Sequence, residues 1–115
     1  PTVFRRVHDA VLAGDLQRLG EAAEESAFQM HASALAAGVI YFRGTTVDVV
    51  AEVRGMRSAG LAAWSTIDAG PHVKVITSAK DEDRVREKLE AVPGVLRVIA
   101  TRPGPGAHVV EQASP

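Results

Sequence analysis

Asp68 is the residue whose neighbours best equip it for chemistry. It stands in Thr66-Ile67-Asp68-Ala69-Gly70-Pro71-His72, a carboxylate closing a hydrophobic run ahead of Ala-Gly-Pro. An ordinary hairpin turn more often carries Asn-Gly or Asp-Gly. A strand would hold the carboxylate still, Gly70 would let the backbone bring its amides near a ligand, and Pro71 would stiffen the exit. A carboxylate fixed in this way can take a proton from a bound hydroxyl. Asp is also a common turn former, and on residue types alone that structural role is the commoner one.

Other reactive types are less well supported. His8, His31, His72 and His108 form no pair at helical ligand spacing and have no nearby acid cluster, so no metal ligands are expected. His31 follows Met30 on a long helical pattern and reads as a partly buried histidine satisfied by a backbone carbonyl. His72 is either a strand-end residue or close enough to Asp68 to feel the same ligand. Gly104-Pro105-Gly106 lacks the free amides and following helix of a phosphate cradle and reads as a turn. Ser65, Ser78 and Ser114 have no nucleophile-elbow context. Isolated arginines such as Arg5, Arg6 and Arg102 are ordinary surface residues.

The elements that must position Asp68 follow from periodicity. Residues 3–36 are rich in Ala, Leu, Glu and Arg with a break at Ala13-Gly14-Asp15, which predicts two helices, the second capped by Asp15. The apolar run 39–42 predicts a short strand. Thr45 or Thr46 should cap a helix through about Ser58, with Val49, Val50, Val53 and Met56 buried and Gly60 as its stop. Residues 61–67 and 72–77 predict a β-hairpin with Asp68 at its tip. Ser78 to Asp81 should open a helix bearing Val85, Leu89 and Val92 on one face, ended by Pro93-Gly94. A last strand is expected over 95–101, then a turn forced by Arg102-Pro103-Gly104-Pro105-Gly106 ahead of residues 107–110, and a frayed tail over 111–115. Two helices and then strand, helix, strand, strand, helix, strand give an α+β domain with a ferredoxin-like split βαβ antiparallel sheet.

Composition bounds the rest. A chain of 115 residues that is 46% hydrophobic and 4% aromatic can form one domain with an aliphatic core. A formal charge of -1 gives no basic field for nucleic acid or an anionic membrane. Without cysteine there is no thiolate chemistry, and no run approaches the roughly 20 apolar residues of a membrane span, so a cytoplasmic domain is expected.

Three stretches, LQRLGEAAEESAFQMHASAL at 16–35, VVAEVRGMRSAG at 49–60 and TIDAGPHVKVIT at 66–77, together resemble the diphosphomevalonate decarboxylase family of the GHMP small-molecule kinase superfamily in order and spacing. The resemblance implies the C-terminal lobe of a two-lobe enzyme. Residues 1–115 would then be one domain, and the N-terminal ATP-binding lobe would lie outside this sequence. It further implies ATP-dependent conversion of mevalonate 5-diphosphate to isopentenyl diphosphate, ADP, phosphate and carbon dioxide. ATP and Mg2+ would be bound mainly by the absent lobe, and this lobe alone would be inactive. By the same resemblance Asp68 is the catalytic aspartate and Ala69 and Gly70 contact substrate. His72 stands where the family usually has Asn, which leaves room for a relative acting on mevalonate 5-phosphate. The competing readings are a non-catalytic ferredoxin-like small-molecule-binding or regulatory module, and an interaction domain that forms a homodimer.

Overall fold

The structure, a computed structural model, describes residues 2–109. Its elements, in order, are α1 (Thr2–Ala13), α2 (Leu16–Ala36), α3 (Gly44–Ser58), β1 (Ala63–Ile67), β2 (Val73–Thr77) and α4 (Glu82–Glu90). The expected α+β class, both opening helices and the antiparallel hairpin are present.

Local chemistry explains the helix boundaries. Gly14 takes a φ of 63°, and the Asp15 carboxylate accepts the Arg18 N–H at 3.0 Å, so the first helix ends and the second begins with one orphan amide satisfied. Helix α3 starts at Gly44, slightly ahead of the expected Thr45 or Thr46 cap. Arg43 holds the cap position, and Thr46, one turn in, accepts the Arg43 N–H at 3.1 Å. Gly60, with φ 89°, lies just past the end of α3. Asp81 is the N-cap of α4 but turns its carboxylate away from the helix, towards Ser78 and Ala62.

The core lies between α3, α4 and one face of the hairpin. Val49, Val53, Met56, Leu61, Ala63, Val85, Leu89 and Val92 form it, with Val73, Val75, Val95 and Val98 packed at its margin. The anticipated α3 and α4 stripes are therefore the ones buried, except that Val50 is only half-buried. Helix α2 runs along β1, and α1 packs on α2. The close approach of α2 to β1 has a definite cause. Gly20 lies against Trp64, and a Cβ there would stand 2.5 Å from Cε3 of the indole.

Strands expected over 39–42 and 95–101 are not formed; the tail expected to fray over 111–115 lies outside the described residues. Among the described residues the sheet is thus the two-stranded hairpin, short of the four strands of the expected ferredoxin-like sheet. In the first segment Tyr41 and Phe42 turn onto the His31 ring. In the second, Val95 and Val98 reach the core three residues apart, a spacing that breaks the two-residue alternation of a strand, and Leu96 is 98% exposed. In each segment two apolar residues pack without a ladder, while Ile40, Leu96 and Ile99 stay exposed.

Two glycine substitutions should move stability in opposite directions. Gly20→Ala should destabilise by about 1–3 kcal/mol net, because displacing a buried indole outweighs the gain in helix propensity. Gly55→Ala, in an exposed helical position where a Cβ meets nothing, should stabilise by about 0.5–1 kcal/mol. Urea unfolding of the two variants beside the parent chain measures both.

Candidate functional site

The hairpin register pairs Ser65 with Val75, Thr66 with Lys74 and Ile67 with Val73. Asp68 is the first residue after β1, so it sits at the strand exit and not at the middle of the connecting loop. Its side chain is 83% exposed, and Lys74, which follows the loop on β2, brings its ammonium to 2.5 Å from Asp68 Oδ2.

The backbone on either side of this carboxylate is held from outside the hairpin. The Ile67 carbonyl lies 3.3 Å from His31 Nε2, and since a carbonyl can only accept, that nitrogen carries the proton. His31 is 2% exposed, with Phe42 tilted against its ring at 4.4 Å between centroids and Tyr41 edge-on at 5.8 Å. The expectation of a histidine satisfied by a backbone carbonyl is met, and the carbonyl is the one adjoining Asp68. On the far side, the Thr46 hydroxyl donates to the Pro71 carbonyl at 3.0 Å. Within the loop, the Gly70 N–H donates to the Asp68 carbonyl at 2.7 Å.

Gly70 differs from expectation in its reason for being glycine. Its φ is not in the left-handed region, and a Cβ there would meet nothing within 4 Å. Neither the turn nor the packing of this chain requires it, and the space above it is open. Ala69 is exposed, as is His72, which makes no hydrogen bond or ion pair with Asp68 among the described residues.

Asp68 borders an open groove of about 310 Å³. Val7, Ala23 and Ala27 form its apolar lining, while Ser26, Thr66 and Asp68 bring polar atoms and Met30 a flexible thioether. Lys74, Ser26 and Thr66 were not singled out from the sequence, and Thr46 was named there only as a helix cap. Only Lys74 and Thr66 left a trace there, since their even spacing from Asp68 across a hairpin puts them on one face.

Glu24 anchors the other end of β1. Its carboxylate receives Arg57 Nη2 at 2.8 Å and Nη1 at 3.1 Å, and it accepts the Ser65 N–H at 2.8 Å; Arg57 Nη1 also donates to the Ala63 carbonyl at 2.9 Å. Burial pushes the Glu24 pKa up, but the Arg57 guanidinium and the Ser65 amide outweigh it and hold the carboxyl below its usual range. Asp81, which accepts from Ser78 and Ala62, is likewise held low. Among the described residues no three His, Cys, Asp or Glu converge as metal ligands, and no helix is long and apolar enough to cross a membrane.

No protein-family model matches the chain, and no curated protein does. Solved structures do. Mevalonate diphosphate decarboxylase from Staphylococcus aureus matches at 33% identity and a TM-score of 0.74, covering 77% of this chain and 28% of that one. The chain resembles one part of a mevalonate diphosphate decarboxylase. The enzyme from Enterococcus faecalis matches at 31% identity and TM-score 0.73, over 77% of this chain and 28% of its own. A structure described as MDDEF in complex with MVAPP, AMPPCP and magnesium matches at 30% identity and TM-score 0.74, over 81% and 29%. The chain thus spans less than a third of the decarboxylases it matches.

The two depressed carboxyls fix the sign of the acid response. Glu24 titrates lower in the folded than in the unfolded chain, so its stabilisation is complete above its ordinary value of 4.5 and is lost as pH falls through the folded value. Unfolding free energy should therefore decline on acidification below pH 4.5. Glu24→Gln should lower stability at pH 7 by about 2 kcal/mol, the cost of an unpaired Arg57 moderated by its partial exposure, and should flatten the acid decline. Denaturant titrations at a series of pH values check both.

Proposed function

We propose that this chain is the C-terminal catalytic lobe of an ATP-dependent decarboxylase that converts mevalonate 5-diphosphate to isopentenyl diphosphate, ADP, phosphate and carbon dioxide. The observation that carries the reading is Asp68: an exposed carboxylate at a strand exit, its backbone tied on both sides, bordering a groove. The sequence identity of 30–33% to decarboxylase structures supports the choice of substrate class.

In this reading the tertiary hydroxyl of the substrate donates its hydrogen bond to Asp68, which orients the oxygen and accepts its proton as the oxygen is phosphorylated. Phosphate then leaves with the C–O bond, the carboxylate is lost as carbon dioxide, and that electron pair forms the alkene. The reaction asks more for positioning than for covalent help, which suits a carboxylate mounted on a strand. Lys74 pairs with the Asp68 carboxylate through one oxygen, Oδ2, and leaves the other free to meet the substrate hydroxyl. Ala69, whose N–H has no protein partner among the described residues, can turn that amide to an anionic group, while the Gly70 N–H is already used within the loop.

The described residues do not fit a nucleotide or a magnesium ion: no acidic cluster converges, and the loop leads into β2 and not into a helix N-terminus. One matched structure is described as a complex with AMPPCP, an ATP analogue, and magnesium. Together these favour an N-terminal lobe, outside the sequence described, as the holder of both.

Asp68→Asn in the complete polypeptide should reduce ATP-dependent decarboxylation of mevalonate 5-diphosphate by at least about 100-fold with unchanged thermal melting. Parent-like turnover in that variant would remove Asp68 from the chemistry. Gly70→Ala should leave the melting temperature unchanged, since the added methyl meets nothing, and should raise KM severalfold if substrate occupies the open space above it. Steady-state kinetics and a thermal melt on the same preparation separate the two effects.

A further inference from the structure

The Asp68 loop takes its conformation from two residues that lie well before it in the chain. His31 is nearly fully buried, yet its only polar contact among the described residues is the Ile67 carbonyl, which belongs to the peptide joining Ile67 to Asp68. Its ring cannot swing aside freely, because Phe42 covers one face and Tyr41 meets an edge. Thr46 is 3% exposed, and its hydroxyl does two things at once, donating to the Pro71 carbonyl and accepting the Arg43 N–H. The segment 68–70 between these ties is otherwise exposed or half-buried, and its one internal backbone bond is the short Gly70-to-Asp68 contact.

We propose that His31 and Thr46 are positioning residues that clamp the two ends of the Asp68 loop through the Ile67 and Pro71 carbonyls, and so set the direction of the Asp68 carboxylate. The inference rests on the reading of Asp68 as the catalytic carboxylate and deepens it. A peptide plane is rigid, so fixing the Ile67 oxygen fixes the amide of Asp68 and the start of its side chain. The ring of His31 is itself immobilised by its aromatic neighbours, which is the arrangement that transmits precision to a reacting group. Loss of either tie frees rotation at one end of the loop, and misplacement by about 1 Å can cost on the order of 100-fold in rate.

The test uses the complete enzyme with mevalonate 5-diphosphate and ATP, reading kcat, KM and thermal melting for His31→Leu, His31→Gln, Thr46→Val and Asp68→Asn. His31→Leu should lower kcat on the order of 10- to 100-fold with KM within about threefold, because the defect lies in aligning the base and not in holding substrate. His31→Gln should recover most of that loss, since its amide nitrogen can donate to the same carbonyl. Thr46→Val should also lose kcat selectively. A merely structural histidine would shift the melting temperature without splitting kcat from KM and without rescue by Gln. Parent-like kcat in a folded His31→Leu, or a Gln variant as slow as the Leu variant, overturns the clamp. Should His31→Leu not fold, Thr46→Val decides, and parent-like kcat there overturns it. If Asp68→Asn itself stays active, the catalytic reading fails first; if Asp68→Asn is dead while His31→Leu is unimpaired, the clamp alone is wrong.

Discussion

The outer edge of β1 is the constraint on which the rest of this structure depends. In an antiparallel pair, alternate residues turn their N–H and C=O groups away from the partner strand. Here the outward groups of Ala63, Ser65 and Ile67 meet side chains instead of a third strand: Arg57 donates to Ala63, Glu24 accepts from Ser65, and His31 donates to Ile67. An exposed edge of this kind is both a cost, if its groups are buried unpaired, and a template for unwanted pairing. Three side chains from α2 and α3 remove both problems, and they do so at fixed positions along the strand.

That edge also explains why β1 can carry a functional residue at its end. Helix α2 lies so close to the strand that Gly20 has no room for a side chain beside Trp64, and this closeness brings Glu24 and His31 within reach of the backbone. Seven residues, about two helical turns, separate the two, so both fall on the one face of α2 that lies against β1. Register and direction of β1 are therefore set before the chain reaches Asp68. The exposed carboxylate stands on a rigid base, and rigidity at the base is what positioning chemistry requires.

Much of this was readable in the residues. The helix pair with its Asp15 cap, the stripes Val49, Val53 and Met56 and Val85, Leu89 and Val92, and the hairpin around Asp68 follow from periodicity and capping, which are local properties. The segments 39–42 and 95–101 show where local reasoning stops. Both are apolar and β-prone, but a strand exists only where a neighbour presents a free edge, and neither segment meets one among the described residues.

The sequence by itself determined the four helices and the hairpin, their order, their apolar faces and the presence of an unusual carboxylate between a strand and Ala-Gly-Pro, because each depends on residues within a few positions of one another. Only the tertiary structure decided that His31 and Thr46 hold the two ends of that loop and that Glu24 and Arg57 seal the strand edge. These partners are separated in the chain by as many as 41 residues. No periodicity or spacing encodes such a pairing; it arises when burial packs helix against strand, and the resulting low-dielectric surroundings leave each polar group only the partner that geometry provides.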